Sequence, residues 1–339
     1  MPSCQTMPLQ WKSLSMRKLD PFLLSLIAAI VLATFLPCSG NEAVLLSRLT
    51  TCLIALMFFL QGARLKPEAV LESVRDWRLQ GSVLSCTFLL FPLLGLALHA
   101  LVPGLLKPDM WHGVLFLCCL PSTVQSSIAL TSIARGNVPA SICAATLSNL
   151  IGIVATPILV GLIVQKGNVW SAHAIVDIAT QLLLPFGVGQ LLHKRLGAWA
   201  HRNKKLLSFS DRGSIVLVVY TAFSHAVVEG IWRRVSVPDL ALTAGLDLVL
   251  LVLVLVLSRL LGRVLGFSEE SSISLMLCGS KKSLATGVPM ANILFPVSVV
   301  GTVVLPLMMY HQIQLFVCTL LARRLAARPG LPLEAEGEA

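Results

Sequence analysis

The stretch Leu275-Met-Leu-Cys-Gly-Ser-Lys-Lys-Ser-Leu-Ala-Thr-Gly-Val-Pro-Met290 sets two adjacent lysines inside an apolar run. Gly279, Gly287 and Pro289 flank them, and these are residue types that interrupt a helix. A cation at the centre of a membrane helix costs roughly 2.5–3.5 kcal/mol on insertion scales, so such charges mark transport or ion paths. Lys281 and Lys282, with Ser280, Ser283 and Thr286 around them, are therefore the first candidates for a site. The bland alternative is an ammonium snorkelling to the interface. About ten residues lie between Lys282 and either expected end of the run, roughly 15 Å at helical rise, and a lysine stem reaches about half that. Neighbouring helical residues diverge by about 100°. Both lysines can thus face one cavity only where the chain is unwound, and Lys282 is expected to be the inward one.

Composition makes the chain a polytopic membrane protein. Of its 339 residues, 56% are hydrophobic and 12% charged, against about 25% charged in a soluble domain. Mean hydropathy is +0.84. A span needs about 20 apolar residues. Ten such runs are expected, at 21–38, 44–62, 81–102, 111–134, 138–165, 172–193, 214–232, 238–265, 271–293 and 296–322. They leave no room for a sizeable soluble domain. The net charge of +10 does not imply nucleic acid, because its distribution is one-sided. Under the ten-span reading, 19 of the 26 lysines and arginines fall on one face. The positive-inside rule makes that face cytoplasmic and puts both termini there. Basic loops then fix topology and touch anionic headgroups of the bilayer. No cleavable signal peptide is expected, and Met16 is an alternative start. The cysteines, with no CxxC among them, read as small buried hydrophobes.

Ten spans divide into two sets of five, 21–165 and 172–322, between an N-terminal segment 1–20 and a tail 323–339. The fourth span of each set is the most polar and broken: Leu120-Pro-Ser-Thr-Val-Gln-Ser-Ser127 in one, Gly279–Gly287 in the other. Interrupted segments at matching positions point to inverted repeats with a midplane site. Ser122, Thr123, Gln125, Ser126 and Ser127 can donate to an anion or coordinate a hard cation; the alternative is interhelical glue. In the fifth span, Ser141, Ser148 and Asn149 can share a helix face, with Thr146 pointing elsewhere. Asp177 and Asp247 are candidate partners for a lysine. Tyr310-His311-Gln312 reads as a helix-packing patch. No P-loop, HExxH or histidine-ligand spacing occurs, so an enzyme is not expected.

Pro121 to Pro157, with Ala134-Arg-Gly-Asn-Val138 and Ser141, resembles the fourth and fifth spans of the bile acid:sodium symporter family (solute carrier family 10). Ser280-Lys-Lys-Ser-Leu-Ala-Thr-Gly-Val-Pro-Met290, Leu305-Pro306 and Tyr310-His311 resemble its member-seven branch, in bacterial form, over about residues 17–325. The resemblance implies an all-α fold of ten spans in two inverted five-helix repeats, with broken helices four and nine crossing near the midplane. It also implies a core moving against a panel. Sodium-binding members use a Ser-Asn pair, a Ser and a Thr on spans four and five, and a Glu with a Gln on span nine. By position these fall on Ser126-Ser127, Ser141, Ala145 with Thr146 beside it, Ser280 and Leu284, with a further ligand near Thr87.

The departures matter as much as the match. The glutamate and its glutamine are absent, and lysines stand beside the positions where a cation would sit. A carboxylate supplies much of the attraction for a hard cation. The expectation is a secondary transporter of an organic anion, a bile-acid-like or other amphipathic carboxylate or sulfate, working by alternating access. Its sodium sites are degraded, an ammonium of Lys281 or Lys282 stands in for a sodium ion, and sodium or a proton is the coupling ion if there is one. No cofactor is expected. The alternative is a regulatory or ion-homeostasis protein on the same fold.

Overall fold

Helix starts are written locally. Asn137 accepts from Ala140 N at 3.0 Å, Ser268 from Ser271 N at 3.2 Å and Ser283 from Thr286 N at 3.2 Å. Ser236 and Asp239 form a reciprocal capping box. Each meets first-turn N–H groups that have no intrahelical acceptor. The computed structural model describes residues 21–64, 76–164, 179–228, 230 and 235–328, and no strand occurs among them. The helices are α1 (Pro21–Phe35), α2 (Gly40–Arg64), α3 (Trp77–Leu101), α4 (Pro108–Cys119), α5 (Gln125–Ile133), α6 (Val138–Ile163), α7 (Leu184–Leu191), α8 (His193–Arg202), α9 (Lys204–Val228), α10 (Val237–Val264), α11 (Glu269–Gly279), α12 (Leu284–Leu294) and α13 (Val297–Ala326).

Five of them, α2, α3, α6, α10 and α13, are long and apolar enough to cross a membrane. The expected runs at 111–134 and 271–293 are each two short helices, α4 with α5 and α11 with α12, separated at 120–124 and 280–283. The breaks fall on Pro121 and on the lysine pair, as the sequence leads one to expect. The run expected at 214–232 instead begins at Lys204, ten residues earlier. Lys and Leu are good helix formers, so α9 continues past its apolar part. The start of the run at 172–193, with Asp177, lies outside the described residues, as do residues 1–20, with Met16, and most of the tail.

Two groups of helices result. In one, α2 packs on α7, α8 and α9, and α1 on α9. The other joins α3, α4, α5, α6, α10, α11, α12 and α13, and α9 bridges to it through α12 and α13. The α2–α7 contact is backbone against backbone. A Cβ on Gly62 would lie 2.1 Å from Phe186 O, and one on Gly189 2.0 Å from Phe59 O. Gly62→Ala is therefore expected to force these helices apart and destabilise by about 1–3 kcal/mol, the usual cost of overpacking, seen as a lower melting temperature in detergent.

Between α5 and α6, Arg135 takes a positive φ of 53°, a costly conformation for a residue with a Cβ. Gly136 N then reaches Thr131 O at 2.9 Å and Asn137 N reaches Glu270 O at 3.1 Å. A Cβ on Gly136 would meet Ile273 and Thr131 at 2.8 Å. This turn ties the α5–α6 pair to the start of α11. There Glu269 takes guanidinium groups from Arg259 and Arg328. The Arg259 hydrogen bond, with both positive charges beside it, holds the Glu269 carboxyl below the usual carboxylate range.

Candidate functional site

The two breaks cross and bond to one another. Ser283 N donates to Pro121 O at 2.9 Å, and Ser122 Oγ donates to Cys278 O at 2.6 Å. An interrupted helix leaves carbonyls with no helical donor, and at membrane depth these must be met within the protein. Here side chains meet them. Asn149 Nδ2 donates to Ser122 O at 2.7 Å, Thr156 Oγ1 to Cys119 O at 2.9 Å and Tyr310 Oη to Ser280 O at 2.7 Å. Gln314 pairs with Lys282 as a strand neighbour would: its Oε1 accepts from Lys282 N and its Nε2 donates to Lys282 O, both at 2.9 Å.

Lys282 supplies the rest. Its ammonium donates to Thr87 O and Cys118 O at 2.8 Å and to Leu120 O at 2.7 Å, and it sits 4.1 Å from the centroid of the Phe91 ring. The last two carbonyls are free because α4 ends there. The first is free for a subtler reason. Within α3 the backbone runs as a π turn over Cys86–Leu90, so Phe91 N bonds five residues back to Cys86 O. The next donor in that register would be Pro92, which has no N–H, and Thr87 O is left over. Three ammonium donors thus meet three orphaned carbonyls and an aromatic face. Lys281 Nζ donates to Ser126 O at 2.9 Å. Both lysines are fully buried.

A cavity of about 520 Å³ lies between the two helix groups. Thr123, Gln125, Ser126, Thr146, Asn149, Ser283, Thr286 and His311 line one wall. Phe22, Gln61, Arg64, Phe186, Asp211 and Arg212 line the other. Arg64 forms a two-pronged pair with Asp211, at 2.7 and 3.2 Å, and the Arg212 guanidinium lies 5.6 Å from the centroid of the Phe22 ring. Seven of the expected site residues, Thr123, Gln125, Ser126, Thr146, Asn149, Ser283 and Thr286, therefore share one space.

The others do not. Lys282 does not face the cavity as expected, and neither does Lys281. A desolvated ammonium goes where acceptors lack donors, and those carbonyls lie behind the breaks. Thr87 contributes its carbonyl, while its hydroxyl is tied to Val83 O at 2.9 Å. Ser127 and Ser280 are fully buried outside the lining. Ser141 donates to Thr131 Oγ1 at 3.0 Å, away from the cavity. Ser141, Ser148 and Asn149 do face one neighbour, meeting Thr131 and Ser122, but the expectation that Thr146 points elsewhere is corrected. Ser148 accepts from Ser122 N at 3.0 Å, while Thr146 and Asn149, one turn apart, line the cavity together. Asp247 pairs with neither lysine: it is fully buried, and neither carboxylate oxygen has a hydrogen-bond partner among the described residues.

Sequence reasoning missed Gln314, and it read Tyr310 only as packing. The available signal was their spacing of four, which stacks two polar groups on one face of α13. The centre of the site is Asn149. Its Nδ2 also reaches Ala145 O at 3.0 Å, and its Oδ1 accepts from Thr286 Oγ1 at 3.0 Å. One amide thereby holds α6, the first turn of α12 and the break between α4 and α5.

The model of the SBF-like CPA transporter family matches residues 20–327. An uncharacterized protein of Pseudomonas aeruginosa is 54% identical over 316 residues, 91% of this chain and 93% of that protein. YfeH of Escherichia coli K12, named as a candidate symporter, is 48% identical over 91% of this chain and 93% of its own length. Sodium/bile acid cotransporter 7 of Rattus norvegicus is 25% identical, over 88% and 90%. The relatives with functional names are transporters, not enzymes. A broken-helix crossing, a cavity between two helix groups and a match along nearly the whole chain agree: the protein belongs to the SBF-like CPA transporter family.

Proposed function

We propose that the chain is a secondary transporter of an organic anion in a bacterial inner membrane, working by alternating access. Its ten spans form two inverted repeats, 21–165 and 172–322, and both termini, 1–20 and 323–339, are cytoplasmic. The substrate is an amphipathic carboxylate or sulfate. The observation that carries this reading is what the cavity meets. The N-terminal turns of α5 and α12, both half-helices of the crossing, open into it through Thr123–Ser126 and Ser283–Thr286. First-turn N–H groups lack helical acceptors and carry the positive end of the helix dipole. Two guanidinium groups and one carboxylate stand on the facing wall, while Phe22, Leu150, Ile153 and Phe186 supply apolar surface. An anion with an apolar body fits this wall pattern.

The place of the cavity supports alternating access. One wall belongs to the crossing and the other to α1, α2, α7 and α9, so closing one mouth and opening the other needs these groups to move as bodies. The lysines support uptake that does not depend on sodium. Carbonyls that sodium would take as ligands hold the Lys282 ammonium, and the Lys281 ammonium sits against the Ser126 carbonyl beside the remaining sodium-like positions. A fixed ammonium in each place makes sodium unnecessary. Uptake into proteoliposomes is expected to proceed equally with sodium, lithium or choline outside. A strict sodium requirement overturns the ammonium substitution. If no carboxylate or sulfate is taken up, and none raises the melting temperature, the transport reading itself fails.

A further inference from the structure

A second groove, of about 470 Å³, runs between α10, α11 and α13 on the outer surface, away from the cavity. Its walls are almost wholly apolar, and Val256, Leu260 and Leu320 are 52%, 47% and 47% exposed. In a membrane-spanning chain such exposure is lipid-facing surface. At one end the groove is lined by Arg259, Arg263 and Arg324, and no carboxylate lines it. Arg259 and Arg263 are one turn apart on α10, and Arg324 lies in the last turn of α13.

These arginines do more than close helix ends. Cations in a last turn favour the helix dipole, and that accounts for Arg323, which lies outside the groove. It does not account for three guanidinium groups converging on one apolar slot. Arg259 gives one nitrogen to Glu269, yet its Nη1 is buried with no hydrogen-bond partner among the described residues. Neither Arg263 nor Arg324 has an ion pair among the described residues. A buried guanidinium donor left unpaired is costly, and a planar fork of donors matches phosphate oxygens.

We propose that this groove is a specific site for an anionic phospholipid, whose phosphate meets Arg259, Arg263 and Arg324 while an acyl chain lies along Val256, Leu260 and Leu320. Charge complementarity and the position of the cations at one end of an apolar channel choose the ligand. A zwitterionic lipid brings a compensating cation next to the arginines, and a soluble phosphate has nothing to fill the channel. The site is separate from the transport cavity and does not depend on what that cavity carries.

The test is native mass spectrometry of the purified full-length protein, equilibrated with mixed micelles of phosphatidylglycerol and phosphatidylcholine. Each basic residue near an anionic headgroup is worth on the order of fivefold in binding. The wild type should retain phosphatidylglycerol in preference to phosphatidylcholine, and the R263Q/R324Q double variant should lose roughly thirtyfold of that preference. Both side chains are exposed, and an unchanged melting temperature checks that the variant folds. R323Q, one residue away and outside the groove, should retain the wild-type preference. Equal retention by the double variant overturns the site, and so does an equal loss in R323Q, which means diffuse surface charge. Displacement of the lipid by millimolar inorganic phosphate overturns the acyl-chain part.

Discussion

Lys282→Met is expected to lower the stability of the folded protein by about 3–5 kcal/mol, the usual cost of removing one partner from a buried charged network. Methionine keeps the length and apolar body of the stem, so the change isolates the ammonium. Without it the carbonyls of Thr87, Cys118 and Leu120 lose their donor in a place water does not reach, and each unsatisfied buried acceptor costs roughly 1–3 kcal/mol. The Phe91 ring contact goes as well. Lys281→Met removes a single bond, to Ser126 O, and should cost about 1–3 kcal/mol. Thermal melts of both variants in detergent measure the difference. If Lys282→Met melts at the wild-type temperature, the ammonium does not hold the crossing together. Lys282→Arg distinguishes charge from shape: a planar fork cannot point at three carbonyls arranged around one nitrogen, so it should recover only part of the loss.

The second large effect is expected at Asn149, and it is functional. Asn149→Ala removes the donor to Ser122 O and the acceptor of Thr286 Oγ1, which releases the first turn of α12 from the break between α4 and α5 at the cavity wall. One lost buried hydrogen bond leaving a polar group unpaired is worth about 2 kcal/mol, on the order of thirtyfold in anion affinity. Asn149→Asp has nearly the same shape, but it replaces the Nδ2 donor with an acceptor and sets a negative charge on the cavity wall. It should bind an anionic substrate more weakly still. Anion-induced shifts in melting temperature compare wild type, Asn149→Ala and Asn149→Asp directly. If the aspartate variant binds anions better than the alanine variant, the cavity does not select negative charge.

Asp247 shows why the pairing of charges was not readable. Two lysines and an aspartate in adjoining membrane runs look like partners, because an isolated charge in hydrocarbon is costly. The Lys282 ammonium instead found carbonyls released by a π turn, by Pro92 and by the end of α4. None of those carbonyls is visible as a polar residue, since each belongs to the backbone of Thr87, Cys118 or Leu120. Asp247 is left in α10 with neither oxygen hydrogen-bonded among the described residues. The turn at Arg135 has a local origin, because Gly136 and Asn137 are weak helix formers and Pro139 sits in the first turn of α6.

Residue type and spacing alone fixed the broad outline. Apolar runs made the chain helical and membrane-spanning, Pro121 and the glycines near Lys281 located the two breaks, and the spread of cations argued an orientation. All of these depend on local propensity or on summed transfer free energy, which sequence carries directly. Which polar residues meet was settled by the crossing. Gln125, Ser126, Thr146, Ser283 and Thr286 came to one cavity, with Asn149 at its centre, while both lysines turned behind it. That choice depends on which backbone carbonyls the packed helices leave without donors, and such vacancies exist only once distant segments are in contact.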